Sequence, residues 1–136
     1  MGFTKAHISV PSDSSFSIRR TEMTSNTYKI HSHENYELNY IISGWGTRFI
    51  GDNIHSFSRG DLVLIGPELP HCWEVKGVSA GKAPECITIH FHENIDGEQF
   101  FHSPELRPIL NLMRESKSGI QFYGKETKQV RDILLK

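Results

Sequence analysis

Turn-forming residues recur at close intervals through the first two thirds of the chain, and this punctuation limits the fold more than any other feature. Gly44-Trp45-Gly46, Gly51-Asp52-Asn53 and Arg59-Gly60-Asp61 supply positive φ angles or side-chain bonds to the local backbone. Around them lie short runs suited to extended backbone, at residues 16–23, 28–31, 36–42, 47–50, 54–57, 62–65, 72–75 and 85–92. Strands this short and this regularly spaced predict an antiparallel sandwich or barrel. In the last run Ile87, Ile89 and Phe91 alternate with Thr88, His90 and His92, and the apolar set is expected to face the core. Residues 76–84, rich in Gly, Ser and Ala, read as a surface loop.

After Gly97 the period changes. Leu106, Ile109, Leu110 and Met113 fall at i, i+3, i+4 and i+7, the stripe of an amphipathic helix. Ser103 suits the N-cap, Pro104 the first helical position, Glu105 the positive end of the dipole, and Gly119 a left-handed close. A second helix is expected from near Lys125, with Val130, Ile133 and Leu134 on one face. It reaches Lys136 without a cap, Gly or Pro, which reads as a polypeptide cut in mid-helix. The first eleven residues lack a periodic pattern and end at Pro11, so they read as an arm or disordered tail.

A length of 136 residues suits one domain with a single core. With 15 basic and 16 acidic residues the formal net charge is −1, so the chain has no broad positive field with which to hold phosphates. DNA binding by these residues alone is therefore not expected. No run of about 18 apolar residues occurs and the start lacks a secretory pattern, which leads us to expect a soluble, cytoplasmic protein with no membrane partner. Cys72 and Cys86 are too few for a disulfide scaffold and read as small buried hydrophobes.

The chemistry concentrates in His31-Ser32-His33-Glu34-Asn35-Tyr36-Glu37 and in His71, which follows a corner bounded by Pro67 and Pro70. Residues at i and i+2 of a strand share a face, so His31 and His33 can converge on one point; Glu37 joins them if no bulge intervenes. The corner would bring His71 back beside them. Three imidazoles and a carboxylate make either a divalent-metal site (Zn, Fe, Mn or Ni) with open positions for a small molecule, or a metal-free pocket lining. Tyr36, Trp45 and Trp73 offer aromatic faces for a planar or sugar-like ligand, although each also suits core or rim packing. His90 and His92 form a weaker pair, read as part of a half-exposed strand. Arg48 and Arg59 read either as carboxylate or phosphate anchors or as solvated edge charges, and Asp61 as a residue bonding its own turn.

The spacing His31-x-His33-x3-Glu37-x6-Gly44, followed by Gly60-x6-Pro67-x3-His71, resembles the two motifs of the cupin superfamily. The second motif departs from the usual form, with its proline one place late and no asparagine after His71 at the customary distance, and this points away from an enzyme. The wider run through His71-Cys72-Trp73 is similar to the N-terminal effector domain of AraC-type transcription regulators, over residues 15–136. That resemblance implies a mainly β fold, a cupin-type jelly-roll β-barrel followed by two helices. It divides the chain into an arm at 1–14, a barrel at 15–98 and a helical dimerisation or linker region at 99–136. It also implies a sugar or organic-acid effector held near His31, His33, Tyr36, Glu37, Trp45, His71 and Trp73, a homodimer, and DNA binding only through a helix-turn-helix domain outside these residues. The competing expectation is a stand-alone metal-dependent cupin enzyme, an isomerase or dioxygenase, with His31, His33, Glu37 and His71 holding its ion.

Overall fold

The structure, a computed structural model, describes residues 4–5, 16–24, 29–93, 102 and 104–135. Its strands are β1 (Thr4–Lys5), β2 (Phe16–Glu22), β3 (His31–Ser32), β4 (Tyr36–Ser43), β5 (Trp45–Ile50), β6 (Asn53–Phe57), β7 (Leu62–Ile65), β8 (His71–Gly77), β9 (Glu85–Phe91) and β10 (Ile120–Phe122). The helices are α1 (Arg107–Glu115) and α2 (Lys125–Leu134). One sheet has the order β1-β3-β8-β5-β6 and the other β10-β7-β4-β9-β2. The fold is mainly β, two five-stranded sheets with two C-terminal helices. Each extended run expected between 16 and 92 has a strand within it except 28–31, which β3 meets only at His31, and the turns fall where glycine supplies positive φ, at Gly44, Gly51 and Gly60.

Register decides which side chains enter the space between the sheets, because directly paired residues share a face. Glu37, Asn39 and Ile41 of β4 pair with His90, Thr88 and Cys86 of β9, and Glu37 and Asn39 also pair with Ile65 and Val63 of β7. From the facing sheet, Ile50 pairs with His71 and Arg48 with Trp73. Ile41, Ile50, Phe57, Val63, Ile65, Trp73, Cys86 and Met23 form one apolar cluster there. Ile65 is fully buried, and its truncation to Ala would cost about 2–5 kcal/mol.

The alternation in β9 therefore runs opposite to expectation. Cys86 and His90 face the interior, while Ile87, Ile89 and Phe91 lie on the outer face, with Ile89 and Phe91 half-buried. The physical reason is that this barrel carries polar groups inside and helices outside. Arg114 of α1 acts on Tyr36, and Arg131 and Asp132 of α2 act on Tyr40, which places both helices near the outer face of β4. Leu110 and Met113 are the buried members of the expected stripe, whereas Ile109 is 44% exposed.

The C-terminal region departs from a simple pair of helices. Pro104–Leu106 forms a 3-10 turn ahead of α1, so the helix starts at Arg107, and Ser103 lies outside the described residues. A second 3-10 turn, Ser116–Ser118, ends at Gly119 with φ +81°, and the chain then adds β10 to the edge of β7. The segment expected to be purely helical thus completes a sheet of the barrel. At the other end, Thr4–Lys5 pairs in parallel with His31–Ser32; the rest of the expected arm lies outside the described residues. Cys72 and Cys86 are free and buried on different sheets, and burial pushes the Cys72 thiol up, with Glu74 adding to the effect.

Candidate metal and ligand site

The first motif is split between β3, the bend after it, and β4. His31 opens β3, His33 lies between β3 and the bend at residues 34–35, and Glu37 is the second residue of β4. His71 opens β8 directly opposite His31 in the antiparallel register. Glu37 lies opposite His90 on the neighbouring strand of the other sheet. The two sheets therefore converge their imidazoles on one carboxylate from both sides.

Glu37 Oε1 lies 3.0 Å from His33 Nε2, 3.0 Å from His90 Nε2 and 3.5 Å from His71 Nε2. The ring centroids of His31 and His71 are 4.4 Å apart, and His33 stands 5.0 Å from both His71 and His90. His33 and His71 are each 1% exposed, Glu37 4% and His90 7%, so this polar cluster is shielded from bulk water.

Backbone carbonyls set the tautomers. The Nδ1–H groups of His31, His33 and His71 donate to the carbonyls of Lys29 at 2.9 Å, Asn35 at 3.1 Å and Leu69 at 2.7 Å. A carbonyl only accepts, so each neutral ring is left with a bare lone pair on Nε2. For His33 that lone pair would meet a carboxylate oxygen at 3.0 Å, a repulsive contact unless a proton or a cation intervenes. Among the described residues, His71 Nε2 is buried with no hydrogen-bond partner, and so is His90 Nδ1. Leaving such groups unsatisfied costs about 1–3 kcal/mol each.

The electrostatics follow from the same contacts. Burial alone would raise the Glu37 carboxyl, but the charge of His71 and contacts with His33, His71 and His90 hold it well below the usual carboxylate value. Burial alone would lower His71, and Glu37, through charge and contact, raises it. His31 is lowered, chiefly by burial.

The donor set fits a divalent ion. The candidate ligand atoms of His31, His33 and His71 all lie within 4.8 Å of one another, and those of His33, Glu37 and His90 do likewise. Imidazoles with Nδ1 tied to a carbonyl and Nε2 turned inward are the arrangement that orients metal ligands, and the orphaned Nε2 of His71 is the atom such an ion would satisfy.

Of the aromatic residues expected to face a ligand, Trp73 is buried and stands edge-on to His71, with ring centroids 5.7 Å apart. Tyr36 and Trp45 are not brought to the cluster. Tyr36 precedes Glu37 on β4, so it points to the other face and stacks on Phe91 at 5.3 Å. Trp45 pairs with Gly77 at the far end of β5, lies against it, and is 53% exposed. It begins a strand and is not a turn residue. His90 joins the cluster although its sequence context marked it only weakly. His92 accepts a hydrogen bond from the Asn35 side chain at 3.1 Å, behind His33.

Residues 15–78 match the family described as the AraC-like ligand binding domain, a segment that holds His31, His33, Glu37 and His71. This segment is thus similar to an AraC-like ligand binding domain. Among solved structures, it is similar to an apo ToxT variant from Vibrio cholerae strain SCE256, with a TM-score of 0.57 and 11% identity over 90% of this chain and 48% of that one. It is also similar to ToxT from Vibrio cholerae O395 bound to (E)-4-(8-methylnaphthalen-1-yl)but-3-enoic acid, with a TM-score of 0.55, 11% identity, and coverage of 90% and 48%. A single-site mutant of oxalate decarboxylase from Bacillus subtilis aligns with a TM-score of 0.47 and 18% identity over 83% of this chain and 34% of that one. The chain thus spans about half the length of the ToxT chains it matches. No curated protein gives a significant match. No helix among the described residues is long and apolar enough to cross a membrane.

Proposed function

We propose that this AraC-like domain senses a small-molecule effector and dimerises, and so controls DNA binding by a helix-turn-helix domain outside these residues. The observation that carries the reading is the family match over the segment holding His31, His33, Glu37 and His71. ToxT, of similar fold, has been crystallised with a small organic acid, and an organic acid or sugar is the effector class we expect here. The formal net charge of −1 agrees with sensing by these residues and DNA contact elsewhere. The exposed apolar residues Ile109, Ile133 and Leu135 on and beside the helices support a two-fold contact there. A cytoplasmic location follows from a DNA-bound role.

A divalent ion, Zn, Fe, Mn or Ni, is part of this reading. His31, His33, His71 and Glu37 would hold it, with His90 beside Glu37. When bound, it supplies a Lewis-acidic anchor for an effector oxygen. The chain's own residues do the rest. The carbonyls of Lys29, Asn35 and Leu69 hold the Nε2 atoms inward, Glu37 balances positive charge, and the surrounding core excludes water. An effector that prefers one arrangement of the helices by a few kcal/mol shifts the equilibrium on the order of a hundredfold.

The reading is tested by elemental analysis and a metabolite thermal-shift screen of the 136 residues, followed by operator binding of the full-length regulator with and without the hit. A hit that stabilises the domain and changes DNA affinity supports it; a hit without any effect on DNA binding removes the regulatory role. The cluster also keeps open a second reading, a metal-dependent cupin enzyme, which predicts that the hit is consumed.

A further inference from the structure

A cavity of about 270 Å³ opens between β5 and β6 of one sheet and β7 and β10 of the other. Ile50, the register partner of His71, lines this cavity and supplies apolar surface to it with Val63 and Ile120. Asn53, His55, Ser118 and Tyr123 are exposed at its mouth. Of the lining residues, Arg48 alone carries a permanent charge, and it is only 4% exposed, so it is not a solvated edge residue.

Arg48 is incompletely used by the protein. Nη1 donates to Asp61 Oδ2 at 3.2 Å and Nη2 donates to Gln121 Oε1. A guanidinium has five N–H donors, and among the described residues these two bonds leave three for another acceptor. Asp61 Oδ2 is shared with the backbone N–H of Ser58, at 3.2 Å, so its charge is divided between the cation and its own turn. Gln121 gives Arg48 its amide oxygen and keeps its amide N–H groups for a ligand. The cavity therefore offers donors beside three aliphatic side chains, Ile50, Val63 and Ile120.

We propose that this cavity is a second binding site of the chain, for a small monocarboxylate whose oxygens bond Arg48 and whose hydrocarbon part rests on Ile50 and Val63. A volume just under the roughly 300 Å³ at which drug-sized pockets begin selects a short ligand. Asp61 beside the guanidinium selects against a dianion, which would bring a second negative charge to a cation already paired. The site does not depend on the metal reading. It also bears on the helices, because its wall, residues 118–123, is the segment joining α1 to α2.

The test is a titration of the 136-residue chain with butyrate, hexanoate and benzoate, with their amides and with succinate, followed by calorimetry and by backbone amide spectra. At least one monocarboxylate should saturate, with shifts centred on Asn53, Gly119 and Gln121, while its amide and succinate bind about tenfold more weakly or not at all, as expected for loss of a charge-assisted pair. Arg48→Lys, which loses the planar fork, should weaken binding about tenfold. Gln121→Glu should abolish binding by placing the chain's own carboxylate on Arg48, and it keeps the test decisive if the Arg48 variant fails to fold. Saturation by none of the monocarboxylates, shifts centred on His33 and His71, or unchanged binding in Gln121→Glu would overturn the proposal.

Discussion

Replacing Glu37 with Gln removes the charge on which the interior is organised while nearly preserving its shape. The carboxylate holds His33 and His90 at 3.0 Å and faces His71 at 3.5 Å. Hydrogen bonds to a charged group contribute about 1.5–3 kcal/mol each, so the two short contacts set a ceiling of about 6 kcal/mol. His71, which Glu37 raises, can shed its proton once the carboxylate is gone, and this returns part of that sum. We expect Glu37→Gln to cost the metal-free protein about 2–4 kcal/mol in urea unfolding.

The cost should depend on pH in a way that identifies its origin. The Glu37 carboxyl is held well below its ordinary 4.5, so its contribution is present above 4.5 and is lost as pH falls through the lower folded value. His71 is raised above its ordinary 6.5, so its contribution is present below 6.5 and is lost as pH rises through the higher folded value. The pair contributes in full between pH 4.5 and 6.5, and the difference between the two proteins should be largest there. His31, lowered chiefly by burial, erodes both proteins below 6.5 and largely cancels in the difference. In the variant, the His71 ring should titrate at lower pH by NMR. A pH-independent stability difference with an unmoved His71 titration would refute the electrostatic argument.

Three further outcomes follow. Affinity for added divalent metal should fall steeply on acidification from about pH 8 to 5, measured by competition with a chelator, because imidazoles bind as neutral species; a flat profile would count against histidine ligation. Gly46→Ala should destabilise the barrel by about 2–4 kcal/mol, since a Cβ there would stand 2.0 Å from the Glu74 carbonyl oxygen at the β5–β8 irregularity, and a near-neutral result in urea unfolding would mean that the backbone yields easily. The domain should sediment as a dimer that Ile133→Glu, at a position 68% exposed on α2, dissociates without loss of fold; a monomer at all concentrations would remove the helical interface.

The strands were legible because glycine turns and short β-prone runs are local signals. His31, His33 and His71 were legible because a two-residue period and a proline corner place them without knowledge of the sheet. His90 was not. Its inclusion depends on the pairing of β4 with β9, a contact between residues 53 positions apart, and the apolar alternation of Ile87, Ile89 and Phe91 pointed the wrong way because helices cover the outside of the sheet. Arg48 and Gln121 come together only because β10, three residues too short to show a period, joins β7. Tyr36 shared the motif's sequence neighbourhood but not its face.

The central claim, a domain that binds a small effector and leaves it unaltered, is tested most directly by dialysing the metal-loaded protein against a pool of cellular sugars and organic acids and analysing both sides by mass spectrometry. The account predicts that at least one compound is retained at a stoichiometric level by the wild-type chain, is lost from His33→Ala/His71→Ala, and is recovered chemically unchanged. Depletion of a compound with appearance of a product, or equal retention by the double variant, would contradict it.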